Sequence, residues 1–313
     1  MPRFIPVPKA NHRPPPLHIE LNARPAVLPL YFRALTARKK RTTQAHNSSV
    51  LASVSLREQR VDRERVRAYC DVCGFAAGTD LPATYPFVLA MPLHLKLLVS
   101  DAFTFPVLGM VHLRNQITQH RPIQVEESMD IHCDLLAPVP VKRGYEFALV
   151  TRVKVGDELV WECESAMLVR GKHADKDAPK HANLAPFPQD MPDMAGASSI
   201  PWSISEAAGR SYAKVSGDWN PIHLFASSAR LFGFSSAIVH GMWTKAACLA
   251  ALESKTGERG LPAAFRMSVE FKRPVLLPAS AQFLYTRGDG GTGFRVQDQS
   301  GKTLYLNGQL QPL

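Results

Sequence analysis

Residues 212–243 read YAKVSGDWNPIHLFASSARLFGFSSAIVHGMW. In this stretch a carboxylate, Asp218, and an imidazole, His223, flank a helix start. Seventeen residues after His223, His240-Gly241-Met242 opens a second apolar helix. Asn220-Pro221 signals the first start, because Asn caps free N–H groups and Pro at the first helical position gives up no needed hydrogen bond. His223 then falls at the third helical position. Asp218 precedes the cap in a turn that Gly217 permits, so the chain folds back and both side chains point into one cleft. The helix is expected to run to about Phe232 and to stop at Gly233. A carboxylate, an imidazole and a free helix N-terminus can move a proton, hold a water and polarise a carbonyl. Taken singly, the same residues also fit a surface turn and a helix end.

The run Ser216-Gly217-Asp218-x-Asn220-Pro221-Ile222-His223, followed by Gly233-Phe234 and Ile238-x-His240-Gly241-Met242, resembles the MaoC-like, or R-specific enoyl-thioester hydratase, family. The resemblance covers about thirty residues without a gap. It implies an α+β hotdog fold, with a long central helix wrapped by an antiparallel sheet. It also implies reversible syn hydration of a trans-2-enoyl thioester to the R-3-hydroxyacyl thioester. Carried over by position, Asp218 and His223 are the catalytic pair and Asn220 helps to order the site. The backbone N–H of Gly241 binds the thioester carbonyl. No metal, nucleotide or redox cofactor is implied, since the substrate itself carries coenzyme A or carrier-protein phosphopantetheine. His240 is read as structural, holding the turn before its helix.

The chemistry agrees with these roles. Adding water across a conjugated double bond needs a base for the water and an acid for Cα, which two adjacent groups can supply. The negative charge that develops on the thioester oxygen is stabilised by an unpaired N–H at a helix N-terminus. Glycine at position 241 would let an acyl chain approach the backbone.

Three weak internal matches occur in the same order. Arg114-Asn-Gln-Ile-Thr-Gln-His-Arg-Pro-Ile123 aligns with Arg266-Met-Ser-Val-Glu-Phe-Lys-Arg-Pro-Val275 at an offset of 152. Phe87–Met91 aligns with Ile238–Met242 at 151, and Arg67–Gly74 with Arg210–Gly217 at 143. Together they argue for two copies of one fold, a double hotdog. Phe265, Met267, Val269 and Phe271 alternate with polar residues, a half-buried strand. Further strands are expected at about 279–287, 293–298 and 303–311, and in the first half at 129–136, 145–155 and 159–170, with Gly156-Asp157 as a hairpin turn. Apolar helices at about 92–101 and 242–254 precede each strand set. The boundaries expected are a Pro-rich basic segment 1–48, a degenerate hotdog 49–170, a linker 171–200 and a catalytic hotdog 201–313.

Where the second half has Ser216-Gly217-Asp218, the first has Cys73-Gly74-Phe75; where it has His240-Gly241, the first has Leu89-Ala90. One active site per chain follows. The first half, rich in Leu, Phe and Met from Tyr85 to Met110, is left to pack against the second and line an apolar tunnel, or to serve as ordinary core. Cys70-Asp-Val-Cys73 lacks a second C-x-x-C or paired His, so both thiols are read as small buried helix residues.

Composition bounds the alternatives. Of 313 residues, 45% are hydrophobic and 20% charged, which suits a globular protein of two domains. No apolar run reaches membrane-spanning length, and the best N-terminal apolar patch is broken by Pro29, so no membrane span and no cleavable signal are expected. Five irregularly spaced Cys fit a reducing cytoplasm. The net charge of +10 suits nucleic acid, an anionic membrane or a phosphorylated ligand. Arg38-Lys39-Lys40-Arg41 lacks the interleaved aromatics of a nucleic-acid platform, which leaves coenzyme A or an acidic carrier protein, or a solvated loop. A hotdog acyl-thioesterase and a non-catalytic acyl-thioester-binding protein are the alternative functions. A further homodimer is open.

Overall fold

The computed structural model describes residues 16–36, 49–171, 178–180, 182, 194–256 and 260–313. After β1 (Leu17–Leu21) and α1 (Val27–Thr36), the first half runs β2 (Val50–Gln59), α2 (Arg63–Cys73), α3 (Tyr85–Leu98), β3 (Val111–Gln119), β4 (Met129–Leu136), β5 (Val139–Val141), β6 (Gly144–Val155) and β7 (Glu158–Arg170). The second runs β8 (Ser198–Ile204), α4 (Ala208–Ser216), a 3-10 turn (Pro221–His223), α5 (Ala226–Arg230), α6 (Gly241–Thr256), β9 (Phe265–Phe271), β10 (Ala279–Gly288), β11 (Gly291–Asp298) and β12 (Leu304–Pro312).

The strands form one sheet, ordered β1-β2-β4-β6-β7-β3-β9-β12-β11-β10-β8, with β5 on β6. From the centre outward, β3-β7-β6-β4-β2 on one side mirrors β9-β12-β11-β10-β8 on the other, so the internal repeat is a duplication of the fold. The halves meet where β3 pairs antiparallel with β9, and the repeat equivalents Gln116 and Ser268 are direct partners there. The Ser268 hydroxyl donates to Gln116 Oε1 at 3.0 Å. A second equivalent pair, Tyr69 and Tyr212, sits ring to ring at 6.1 Å where α2 meets α4. The approximate two-fold relating the halves therefore passes through the centre of the sheet and between these helices.

Each half wraps its strands around one long helix, α3 or α6, giving the double hotdog and its α+β class. Twelve residues of α3 are buried, on nearly every face. That burial explains why the helix continues through Pro92 instead of starting there, as the sequence suggested. An internal proline costs roughly 3 kcal/mol, whereas each fully buried large apolar side chain contributes about 1.5–3 kcal/mol. In α6 the fully buried Lys245 reaches the junction of the halves. It donates to Asn115 Oδ1 at 2.5 Å and to the Met267 carbonyl at 3.0 Å. Burial pulls its pKa down to about 7.

The strands expected after each helix are present, with the β6–β7 hairpin turning at Gly156 in the left-handed region (φ 58°). Each half also has a strand before its helices, β2 or β8, which the sequence reading lacked. β8 begins at Ser198, inside the stretch read as linker; most of 171–200 lies outside the described residues, as does Arg38–Arg41. Cys70 and Cys73 are buried on α2, as expected of small helix residues. β1 and α1 lie in the segment read only as Pro-rich and basic. β1 extends the sheet by pairing parallel with β2. Among the described residues no helix is long and apolar enough to cross a membrane.

Candidate active site

The site is built on the exit from α4. Gly217 caps that helix in the left-handed conformation (φ 77°), its N–H donating to the Ala213 carbonyl, which turns the chain sharply. The buried Ser216 hydroxyl donates to the Tyr212 carbonyl at 2.7 Å and accepts the Asp218 N–H at 3.1 Å, fixing the turn from inside. Asp218 Oδ1 then accepts the Asn220 N–H at 3.2 Å, a local side-chain turn, and the Tyr31 hydroxyl at 2.7 Å.

The expected helix from Pro221 to about Phe232 is replaced by two short pieces, the 3-10 turn Pro221–His223 and α5. Asn220 does not cap with its side chain; its carbonyl accepts the His223 N–H at 3.0 Å, closing the tight turn. Asn220 Oδ1 is buried without a hydrogen-bond partner among the described residues. Asn220 thus joins Asp218 and His223 through its backbone N–H and carbonyl.

His223 is buried, and its Nδ1 lies 2.8 Å from the Ile238 carbonyl. A carbonyl only accepts, so Nδ1 carries the proton and Nε2 keeps a free lone pair. His240 Nε2 likewise donates to the Asp218 carbonyl at 3.0 Å. The two rings stack at 3.7 Å between centroids. His240 therefore ties the start of α6 to the Asp218 backbone, and its ring lies in the site, 3.8 Å from Asp218 Oδ2. Nitrogen and oxygen atoms of Asp218, His223 and His240 all lie within 4.8 Å of one another, a spacing that also suits a divalent cation.

Electrostatics set the resting protonation. Burial pushes the Asp218 pKa up, but the two imidazoles, the Tyr31 hydroxyl and the Asn220 N–H outweigh it and leave it below the usual carboxylate value. Burial pulls His223 below the usual imidazole value, against the pull of Asp218 and the Ile238 hydrogen bond. Burial and the neighbouring His223 take His240 down to about 3. At neutral pH the site holds an ionised carboxylate beside neutral imidazoles.

Gly241 is the first residue of α6, and the leading N–H groups of a helix have no partner within it. A Cβ at 241 would stand 2.9 Å from the Phe271 ring. Any side chain at 241 would have to push the Phe271 ring away from the helix start. Gly209 on α4 is a second tight contact, which the sequence did not reveal. A Cβ there would lie 2.0 Å from the His223 carbonyl oxygen, so only glycine lets α4 press against the histidine turn.

Asp218, Asn220, His223, His240 and Gly241 all line one cavity of about 640 Å³. Its apolar wall comes from both halves, with Met91, Leu95 and Leu98 of α3 facing Ile238, Met242 and Phe271 of the second half. The exposed cations Arg143, Arg170, Lys272 and Arg273 line it as well. Tyr31 of α1 also faces it, from a segment to which the sequence assigned no role; a lone tyrosine after a Pro-rich stretch gives no signal in the chain itself. The first half repeats the turn but not the chemistry. Gly74 caps α2 in the left-handed conformation as Gly217 caps α4, yet the next residue is Phe75. Ala90, the equivalent of Gly241, lies inside α3, where its N–H faces the carbonyl of the preceding turn.

A model of the MaoC-like domain family matches residues 189–306. The 3-hydroxyacyl-thioester dehydratase X of Mycobacterium tuberculosis is 37% identical over 260 residues, covering 83% of this chain and 88% of that protein. The crystal structure of HtdX from the same species superposes with a TM-score of 0.71 at 32% identity, covering 83% of this chain and all of that one. A MaoC-like dehydratase from Phytophthora capsici, at 18% identity, shares the fold with a TM-score of 0.66 over 85% of this chain and 96% of its own. With the turn at Asp218, the glycine that opens α6 and the duplicated hotdog all in place, the chain belongs to the MaoC-like dehydratase family.

Proposed function

We propose that the protein interconverts 3-hydroxyacyl and trans-2-enoyl thioesters by removing or adding water, with the R configuration at C3. One observation carries this reading. An ionised carboxylate, a neutral imidazole with a free Nε2 and an unpaired helix N–H face the same largely apolar cavity. In hydration, a water held between Asp218 and His223 Nε2 gives up a proton as its oxygen bonds to C3. The electron pair of the double bond moves to C2 and is shared with the thioester oxygen, which the Gly241 N–H stabilises. C2 then takes a proton from the pair, leaving both groups as they began. Dehydration is the reverse.

The acyl tail runs along the α3 wall, and Arg143, Arg170, Lys272 and Arg273 meet the phosphates of coenzyme A or of a carrier protein's phosphopantetheine. The reading calls for no resident cofactor. It calls for no second copy either, because the pairing of hotdog units is already met within one chain across β3 and β9. Five buried free thiols suit a reducing, cytoplasmic setting.

The test is hydration of trans-2-enoyl coenzyme A esters of graded length, followed by loss of the conjugated absorbance and chiral analysis of the product. R-3-hydroxyacyl coenzyme A is expected, at a rate unchanged after dialysis against a chelator. Release of free thiol without hydration would replace this reading with a thioesterase. Tight binding without turnover, with carrier-protein thioesters also inert, would replace it with a binding protein.

A further inference from the structure

The segment Leu17–Thr36, outside both hotdog units, reaches the catalytic turn. Three contacts hold it besides the pairing of β1 with β2. Arg24 donates to the Val88 carbonyl of α3 at 2.8 Å, Leu30 is buried in the core, and Val27 stands 3.5 Å from where a Cβ on Gly217 would be. These contacts aim Tyr31 across the cavity. Its hydroxyl donates to Asp218 Oδ1 at 2.7 Å, a bond between residues 187 positions apart. Oδ1 also accepts the Asn220 N–H, so both donors hold the same oxygen, while Oδ2 lies 3.8 Å from His240 Nε2. Burial and the Asp218 charge raise the Tyr31 pKa far above its usual value, so the phenol remains a donor.

We infer that Tyr31 is a positioning residue for the hydration site: it fixes the Asp218 carboxylate with Oδ2 toward the reacting water and favours its ionised form. The inference rests on the reading of Asp218 as part of the catalytic pair. It makes the N-terminal helix a component of the active site and not a surface appendage. A hydrogen bond to a carboxylate contributes about 1.5–3 kcal/mol, so its loss during the reaction is worth roughly 10- to 100-fold in rate.

The experiment is a double-mutant cycle on the full chain with an enoyl-coenzyme A substrate. Tyr31→Phe keeps the ring contacts and removes only the hydroxyl. It is expected to lower kcat about 10- to 100-fold with KM within about two-fold, and to leave Tm within about 5 °C of the parent. In the Asp218→Asn background the same substitution is expected to add nothing further, because the bond it breaks has lost its charged acceptor. Parental kcat in Tyr31→Phe, rate losses that multiply in the double variant, or a larger Tm drop would each overturn the positioning role. Full activity of Asp218→Asn alone would instead overturn the catalytic reading beneath it.

Discussion

The Nδ1–H of His223 is tied to the Ile238 carbonyl at 2.8 Å, and this one bond decides which nitrogen of the ring can act. The 3-10 turn carries His223 and the strand-like approach to α6 carries Ile238, so the two meet only when the chain has closed the cleft. The ring is delivered with Nε2 unprotonated beside an ionised Asp218.

The first consequence is a pH profile. In the proposed mechanism, turnover in the hydration direction needs neutral His223, and burial holds its pKa below the usual 6.5. The rate constant kcat/KM is therefore expected to stay level as pH falls through 6.5 and to decline only below it. A half-maximal point above 6.5 would show that the essential group is not this buried imidazole.

Stability should fall on the same side. His223 and His240 stay neutral in the folded chain below pH 6.5, where the unfolded chain binds their protons. The unfolded state thus holds more protons, and stability drops as pH decreases. Asp218 adds to the loss at lower pH, because its folded pKa lies under 3.8 and its contribution disappears as pH passes down through that range. Thermal unfolding between pH 8 and pH 4, buffered at constant ionic strength, is expected to show a monotonic fall in Tm. Replacing His240 with Asn should flatten the slope.

Gly209→Ala is expected to be disproportionately harmful for a methyl group. The added carbon would sit 2.0 Å from the His223 carbonyl oxygen, and backbone must move to relieve it. Strain of about 1–3 kcal/mol is typical of such overpacking, and here the moving backbone carries the His223 ring. Loss of kcat by at least about 10-fold in protein that remains folded is the expected outcome; a parental rate would mean that the turn is not held by this contact.

Leu98 lies on the α3 wall of the cavity, in the half without the Asp218–His223 pair. Leu98→Phe should shift the preferred substrate toward shorter acyl chains without lowering the rate on the shortest. An unchanged chain-length preference would remove the tail from this wall.

Much of this was legible in the chain. The D-x-N-P-x-H run and the His-Gly-Met triplet pointed to Asp218, His223 and Gly241, which share one cavity, because turn chemistry and helix starts are written locally. The repeat foretold a duplicated hotdog, since equivalent strands preserve similar alternation. Less legible were features set by distant packing. A helix through Pro92 depends on burial from all sides. The replacement of one expected helix by a 3-10 turn and α5 follows from Asn220 spending its carbonyl on His223. Tyr31 reaches Asp218 across most of the chain, and no local pattern announces a contact of that range. Gly209 carries no local signal either, since its tightness comes from the His223 carbonyl packed against it.

The most direct test of the central claim is the hydration rate of a trans-2-enoyl coenzyme A ester by the wild-type chain, Asp218→Asn and His223→Ala side by side. Each substitution is expected to lower the rate by about 10²–10⁴-fold while Tm and the circular dichroism spectrum persist. A folded variant of either residue that turns over at the parental rate would contradict the account.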